Sequence, residues 1–130
     1  FHAVFHDPFS PSKNPELWTV DFFRQVYSRM MTDGTLTTYS AAPQIRGALL
    51  DAGFSLLRGP SVGGKREGTI AVKRSAADDV DGIRDELKYN YKAIPYRDPD
   101  FCSRREDILS GRIDEMAQAR LKEGRQVHQV

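Results

Sequence analysis

The sequence contains one cysteine and no long apolar stretch, and each of these shortages excludes a class of protein. Because Cys102 is the only cysteine, no disulfide can form within the chain and no cysteine-based zinc site is available. We therefore expect a reducing, cytoplasmic compartment. The longest apolar runs are only a few residues, so we expect no transmembrane helix, no signal peptide and no membrane partner.

The chain also lacks an excess of charge of either sign. Its 130 residues have a formal net charge of +1. Residues 1–74 contain nine Lys and Arg against six Asp and Glu, and residues 75–130 contain ten against twelve. A mildly basic first part suits an anionic substrate, but such a balance is equally common on ordinary protein surfaces. Charge alone therefore predicts no nucleic-acid partner.

Several catalytic and cofactor-binding motifs are missing from the sequence. The histidines, at positions 2, 6 and 128, have no metal-ligand spacing with Cys102 or the carboxylates, so we expect no metal site. No serine or cysteine nucleophile is paired with a histidine at a motif-like spacing. No G-x-G-x-x-G or Walker-type loop follows a predicted strand. A nucleotide-like cofactor would need its glycine-rich loop from outside this sequence, and the start at Phe1 within an apolar stretch predicts a truncated chain.

The first 74 residues alternate between strand and helix patterns. We expect strands at 1–5, 35–40, 54–57 and 69–72. An amphipathic helix is predicted from Asn14-Pro15 to Asp33-Gly34, and a second helix from Pro43 to Gly53. The order β-α-β-α-β-β predicts an α/β fold with a parallel sheet. The last two strands have no helix between them, so we expect them to pair antiparallel at the edge.

Residues 75–130 differ in composition and predict a helical extension. A short helix is expected within 81–91, followed by an extended segment at 94–99 that contains two prolines. Ser103 and Glu106 form a capping box that predicts a helix ending at Gly124. The apolar residues expected to face inward from this helix are Ile108, Leu109, Ile113, Met116 and Leu121. We therefore expect one domain at 1–74 and an appended segment at 75–130.

Polar residues follow the first two predicted strands, where ligands bind in open α/β sheets. Asp7 and Pro8 follow the first strand, and Tyr39 and Ser40 follow the second. Because Pro8 restricts the backbone of Asp7, the carboxylate can be held facing a cleft, where it can accept a proton from an amine. The alternative is that Asp7 only caps a turn.

The other candidate residues each have a structural alternative. Lys13 and Asn14 precede a helix, where a phosphate or carboxylate is favoured, but Asn14 alone explains the helix start as its N-cap. Trp18 lies on the apolar stripe, which favours a core position over base stacking. Lys65 and Arg66 lie in a basic, glycine-rich link that can approach a nucleic-acid backbone, and a solvated hairpin is the default interpretation.

The same residues form a composite signature of a known family. Residues 4–11 read VFHDPFSP and residues 13–19 read KNPELWT. The match continues through GTL at 34–36, TYSAA at 38–42, Arg46, Leu49, AGF at 52–54 and GGKRE at 63–67. In order and spacing, residues 1 to about 74 resemble the MnmC-type methyltransferase domain. One departure is Gly68, where the family pattern has methionine.

This resemblance implies the carboxyl-terminal half of a Rossmann-like class I methyltransferase sheet, with S-adenosylmethionine as methyl donor and tRNA as substrate. The implied reaction is methylation of the aminomethyl group on the wobble uridine. By carry-over, Asp7 is the catalytic carboxylate, next to Pro8 and Phe9 at the donor. The implied substrate-binding residues are Lys13, Asn14, Trp18, Tyr39, Ser40, Lys65 and Arg66.

Two features limit what the resemblance implies for this chain, and two alternatives remain open. The donor loop is missing, so we assign the activity to the parent protein. The tail has no dinucleotide fingerprint, which favours a single-function methyltransferase over one fused to a flavin-dependent oxidase. The first alternative is a methyltransferase of the same fold with another substrate. The second is a non-catalytic RNA-binding or interaction fragment that self-associates through an exposed sheet edge.

Overall fold

The computed structural model describes residues 2–8, 10–59, 67–74 and 82–128, with side chains described as far as residue 122. Within these residues, a four-stranded sheet is combined with four α-helices and two 3-10 helices. The strands are β1 (Ala3–Phe5), β2 (Thr35–Thr38), β3 (Ser55–Arg58) and β4 (Thr69–Val72). The α-helices are α1 (Val20–Arg29), α2 (Pro43–Ala52), α3 (Ile83–Leu87) and α4 (Arg105–His128). The 3-10 helices are Pro15–Leu17 and Tyr91–Ala93.

The strand order is β1-β2-β4-β3, which confirms the α/β class, although the sheet is mixed and only β1 and β2 are parallel. β1 and β2 are parallel, and β4 pairs antiparallel with both β2 and β3. The expected antiparallel pairing of the last two strands is therefore confirmed. Their position at the edge is also as expected, with β3 as the edge strand and β4 between it and β2. This placement buries Thr69, Ala71 and Val72 of β4, as is typical of a central strand.

The first helix begins later than the Asn14-Pro15 pair predicts. Proline starts only a short 3-10 helix, and Asn14 makes no side-chain capping hydrogen bond. α1 begins at Val20, with Thr19 as its N-cap, because the Thr19 hydroxyl accepts a hydrogen bond from Phe22 N at 3.0 Å. The helix then ends at Arg29, before Asp33-Gly34. The prediction of Asn14 as the cap of this helix was wrong.

The second helix matches its predicted limits, and its packing fixes the core. Pro43 is its first residue, and Gly53 follows its end with a φ of 114°, a left-handed conformation that favours glycine. The core combines residues of α1, α2, the sheet and their flanking segments: Trp18, Val20, Phe23, Leu36, Ile45, Ala48, Leu49, Phe54, Leu56 and Ala71 are all buried.

The C-terminal extension packs on this core through its first part. Ile83, Tyr96 and Ile108 belong to the same buried cluster. Tyr96 O accepts a hydrogen bond from Val20 N at 3.0 Å, which fastens the extended segment to the start of α1. Gly47 of α2 lies so close to the Ala93 carbonyl that a methyl group there would overlap it.

The last helix differs from its prediction at both ends. α4 begins at Arg105, and the backbone N–H of Ser103 donates to Asp98 Oδ1 at 3.2 Å instead of opening a capping box with Glu106. The helix also continues through Gly124, because a single glycine is tolerated inside a helix at a cost of about 1 kcal/mol. The inward prediction was wrong for Ile113 and Leu121, which are 60% and 64% exposed.

Candidate functional site

The carboxyl ends of β1 and β2 are joined by the side chain of Asp7. Asp7 Oδ1 accepts hydrogen bonds from Tyr39 N at 2.8 Å and from Thr38 Oγ1 at 3.2 Å. These residues meet because β1 and β2 are parallel neighbours, so both strands end at the same side of the sheet. Asp7 itself is exposed. One oxygen of the carboxylate is thus fixed by the protein, and the residue remains accessible from solvent.

Thr38 connects this carboxylate to the segment that leads into α2. Its side chain is 1% exposed, and its hydroxyl donates to Asp7 Oδ1 while it accepts a hydrogen bond from Ser40 N at 3.2 Å. Ser40 is also buried, and its hydroxyl accepts from Ala42 N at 3.3 Å. Ser40 therefore supports the local backbone through its side chain, beside the predicted pocket.

His6 anchors the end of β1 from the protein interior. Its Nε2 donates to Leu17 O at 2.8 Å, since a carbonyl can only accept, and its ring lies 4.7 Å from the Trp18 ring centroid. Phe22 and Phe23 complete an aromatic cluster around the imidazole. Burial lowers the pKa of His6, and the Leu17 hydrogen bond and the Asp7 charge oppose this shift. The buried imidazole is therefore favoured in its neutral form.

Trp18 holds the loop that follows Asp7 from the protein interior. The residue is 0% exposed, and its indole N–H donates to Pro8 O at 3.1 Å. A fully buried ring has no face for stacking on a substrate base, so any part of Trp18 in shaping the predicted pocket is through its hold on the Pro8 backbone. Tyr39, whose ring centroid lies 6.1 Å from that of Trp18, is 53% exposed and presents the aromatic surface next to Asp7.

Lys13 and Asn14 lie in the loop between Asp7 and the first 3-10 helix. The backbone N–H groups of both residues donate to Ser10 O at 3.0 Å, which forms a tight turn. Lys13 is exposed. Asn14 Oδ1 accepts a hydrogen bond from Arg105 Nη2 at 3.0 Å, so this side chain contacts the C-terminal extension. Phe9, Lys65 and Arg66, the other predicted binding residues, lie outside the described residues.

The stem of the β3–β4 link is described, and it is held by a buried arginine. Arg46 of α2 donates to Thr69 Oγ1 at 2.8 Å and to Gly68 O at 3.0 Å. Glu67 lies 3.6 Å from the same guanidinium and 2.7 Å from that of Arg58. Burial lowers the pKa of Arg46, and the charge of Glu67 opposes this shift. Arg46 thus fixes the start of β4 at the side of the sheet that carries Asp7.

Sequence analysis gave no role to Thr38, His6 and Arg46, which hold the site together. All three residues belong to the composite signature, so their presence in it was the available signal. His6 precedes Asp7 directly, but the sequence does not show that its ring turns inward. Side chains alternate between the two faces of a strand, and only the packing of the helices shows which face is covered.

Comparison with known proteins identifies the family. A family described as S-adenosyl-L-methionine-dependent methyltransferase matches residues 1–74 of the chain. The chain belongs to this methyltransferase family. The matched residues contain the Asp7, Thr38 and Arg46 contacts.

Individual relatives agree with this membership. Uncharacterized protein MJ0670 of Methanocaldococcus jannaschii is 37% identical over 128 residues, which cover 95% of the chain and 35% of that protein. The tRNA 5-methylaminomethyl-2-thiouridine biosynthesis bifunctional protein MnmC of Ralstonia nicotianae is 42% identical over 70 residues, or 54% of the chain and 11% of that protein. The chain therefore spans about a third of MJ0670 and about a tenth of this MnmC.

A solved structure has the same architecture. The crystal structure of MnmC2 from Aquifex aeolicus superposes with a TM-score of 0.78 and 31% identity, over 91% of the chain and 38% of that protein. The matched part includes most of the C-terminal extension, because residues 1–74 are only 57% of the chain. The mixed sheet described above is thus part of a methyltransferase fold.

No group of three or more His, Cys, Asp or Glu side chains within 2–8, 10–59, 67–74 and 82–128 is placed to hold a metal ion. In the same part of the chain, no helix has the length and apolar character needed to cross a membrane.

Proposed function

We propose that the protein containing this chain transfers a methyl group from S-adenosylmethionine to the aminomethyl group of a tRNA wobble uridine. The observation that carries the proposal is the exposed Asp7 carboxylate, tied at the ends of β1 and β2 by Thr38 and Tyr39. Family membership supports the donor. The name of the Ralstonia relative, which specifies 5-methylaminomethyl-2-thiouridine biosynthesis in tRNA, supports the substrate.

Asp7 orients and deprotonates the target amine in this proposal. Both of its described hydrogen bonds go to Oδ1, so Oδ2 is available to accept a hydrogen bond from an amine N–H. An amine needs a free lone pair to attack a methyl group, and a carboxylate that accepts its proton provides one. Holding the amine in line with the methyl group also removes the entropy cost of a collision.

The residues at the strand ends fit the charged end of the donor. The sulfonium centre of the donor is cationic, and the target amine donates hydrogen bonds. The negatively charged Asp7 carboxylate complements both groups. S-adenosylmethionine supplies an activated methyl group when bound. Asp7, Pro8 and Phe9 are the residues that we assign to its binding. The activity is proposed for the whole protein, because the chain spans only 38% of MnmC2 from Aquifex aeolicus.

Substrate binding is assigned to residues around the same edge. Tyr39 presents a half-exposed ring beside Asp7, on which a uracil base can stack. Lys13, Lys65 and Arg66 are cations suited to phosphate contact. Asn14 and Ser40 are assigned to shaping the pocket. Asn14 does so through its hydrogen bond with Arg105, and Ser40 through its hydrogen bond with Ala42.

Analysis of the modified nucleoside tests this proposal. Purified whole protein is incubated with labelled S-adenosylmethionine and tRNA that carries aminomethyl uridine, and the tRNA is digested and analysed by mass spectrometry. We expect a mass gain of one methyl group on the wobble nucleoside. Label in another nucleoside would assign a different RNA substrate. Labelling of proteins or small molecules alone would support the alternative methyltransferase activity and contradict the tRNA proposal.

A further inference from the structure

A basic groove, defined by Lys92, Arg112 and Arg120, lies between the start of α2 and the middle of α4. Its cavity has a volume of about 450 Å³, within the range of about 300–1,000 Å³ that is typical of ligand pockets. These three cations line the cavity, and no carboxylate among the described residues does so. Because a surface with charge of one sign attracts the opposite sign, the groove favours an anionic ligand.

Arg112 is a half-buried cation whose partners are all neutral. Its Nε donates to Ile94 O at 2.7 Å and its Nη2 donates to Lys92 O at 2.8 Å. In the part of the chain that the structure describes, no carboxylate forms an ion pair with it. Burial lowers the pKa of Arg112, because the cation loses contact with water. A partly buried charge without a counter-ion is unfavourable, so a bound anion would stabilise this side chain.

Arg120 and Lys92 extend the positive charge along the groove towards solvent. The Arg120 guanidinium lies 5.3 Å from the ring centroid of Tyr91, a cation–π contact that holds it at the wall of the groove. Both cations are exposed, and neither forms an ion pair with a described carboxylate. One fixed and two exposed cations in a row suit a ligand with repeated negative charges better than a single small anion.

The basic groove lies near the proposed active site. Pro43 and Gln44, the first two residues of α2, form part of its wall. Pro43 follows Tyr39 by four residues, so the two Cα atoms are at most about 14 Å apart. Tyr39 N is the group that donates to Asp7 Oδ1 at 2.8 Å. A nucleic-acid strand with one nucleotide at Asp7 therefore has neighbouring nucleotides within reach of the groove.

We propose that the basic groove binds the sugar-phosphate backbone of the substrate RNA, beside the nucleotide that is methylated. This inference rests on the proposed function. Lys and Arg at phosphates supply most of the affinity of proteins for nucleic acids, and such contacts fix the register of the strand without reading its sequence. The apolar walls at Pro43, Ile113 and Met116 suit contact with the sugars. The C-terminal extension thereby positions the RNA, and Asp7 acts on the target nucleotide.

The dependence of RNA binding on salt tests this inference in the whole protein. The probe is a fluorescein-labelled anticodon stem-loop of tRNA, and its affinity is measured by fluorescence anisotropy. Lys92→Gln combined with Arg120→Gln removes two cations, and we expect about tenfold weaker binding between about 50 mM and about 200 mM salt. The slope of log affinity against log salt should become shallower by about 1–2, since each lost phosphate contact contributes about 1. The melting temperature should stay equal, because both side chains are exposed.

Lys88→Gln combined with Lys122→Gln is the matched control, because it removes two exposed cations of the extension that do not line the groove. Its affinity and salt slope should equal those of the unchanged protein. Equal weakening by both double variants would overturn the inference, since the effect would not be specific to the groove. Unchanged affinity and slope in the Lys92 and Arg120 variant would also overturn it, and methylation of tRNA by that variant would leave the proposed function intact.

Competition with polyglutamate separates RNA from an acidic protein as the ligand of the groove. We expect polyglutamate to displace the stem-loop only weakly, because it has no nucleotide to place at Asp7. Polyglutamate that bound as tightly as the stem-loop, and more weakly to the Lys92 and Arg120 variant, would assign the groove to an acidic protein and overturn the inference. If the unchanged protein bound neither the stem-loop nor whole tRNA, the inference and the tRNA proposal would both be wrong.

Discussion

At the scale of single residues, Thr38 determines how the Asp7 carboxylate is held. Thr38→Val keeps the shape of the side chain and removes the hydroxyl that donates to Asp7 Oδ1 and accepts from Ser40 N. We expect kcat for methyl transfer to fall about tenfold to a hundredfold, since small misplacements of a reacting group have effects of this size. KM for tRNA should be nearly unchanged. Steady-state kinetics of the whole protein measure both constants.

Two further variants serve as controls for Thr38. Thr38→Ser retains the hydroxyl, so its kcat should be close to that of the unchanged protein. If Thr38 acted only by filling space, the smaller serine would lower kcat as well. Thr35→Val makes the same change on β2 at a residue that does not touch Asp7, and its kcat should match the unchanged protein. A Thr38→Val enzyme with normal kcat would show that Asp7 does not need this bond.

His6 makes the stability of the fold depend on pH. Burial lowers the pKa of His6 below its ordinary value of about 6.5, so the unfolded chain binds a proton at a higher pH than the folded chain does. This contribution to stability is complete above pH of about 6.5 and is lost as the pH falls towards the lowered pKa. Thermal unfolding measures Tm at pH 5 and at pH 7.5. The difference between these two Tm values should be smaller for His6→Gln than for the unchanged protein. An unchanged difference would assign the acid sensitivity to other groups.

The predictability of the site from sequence also differs between residues. Asp7 and Tyr39 could be predicted as neighbours, because parallel strands that alternate with helices end at one edge. The inward position of Trp18 followed from its place on an apolar stripe. The Asn14–Arg105 bond could not be predicted, because it joins residues 91 positions apart whose contact depends on where α4 packs.

At the scale of elements, the contact of α2 with the second 3-10 helix depends on one glycine. A methyl group at Gly47 would overlap the Ala93 carbonyl oxygen. Because this oxygen is a backbone atom, the overlap can be relieved only by moving one of the two backbone segments. We expect Gly47→Ala to lower the free energy of unfolding by about 1–3 kcal/mol, the usual cost of overpacking. Chemical denaturation measures this change.

Gly111→Ala is the matched control for that substitution. Gly111 lies within α4, and apart from its chain neighbours and the backbone of its own helix no described atom lies within 4 Å of where its Cβ would be placed. Alanine has the higher helix propensity, so we expect stability to rise by up to about 1 kcal/mol. A Gly47→Ala chain as stable as Gly111→Ala would mean that the extension is not packed against α2 as described.

Helix and strand limits were predictable where local chemistry determines them. Pro43 and Gly53 set α2, because proline suits a first helical position and glycine a left-handed end. The start of α1 was mispredicted because Asn14-Pro15 and Thr19 are both acceptable starts, and tertiary packing of Trp18 favours the second. The insertion of β4 between β2 and β3 has no local signature in the sequence, since both orders allow an antiparallel pair.

At the scale of the whole molecule, β1 forms one edge of the sheet, and among the described residues it pairs with β2 alone. Phe5 is 84% exposed at this edge, and a cavity of about 410 Å³ beside it is lined by Val4, Phe22 and Val26 among others. We propose that the 130-residue chain self-associates here at high concentration, because exposed edges pair with further strands. Sedimentation should show a mass that rises with concentration, and Phe5→Lys should suppress the rise.

Tyr89→Lys is the corresponding control, since it places the same charge at an exposed aromatic position away from β1. It should leave the association unchanged. A mass that stays at that of one chain at every concentration would contradict the proposal.

The central claim is that the Asp7 carboxylate faces the place where the amine meets the methyl donor. The most direct test is single-turnover methyl transfer by whole protein carrying Asp7→Asn, a substitution that keeps an acceptor for Tyr39 N and removes the base. We expect a rate lower by a factor of about 10²–10⁴, with nearly unchanged affinities for tRNA and S-adenosylhomocysteine. A rate equal to that of the unchanged protein would contradict it.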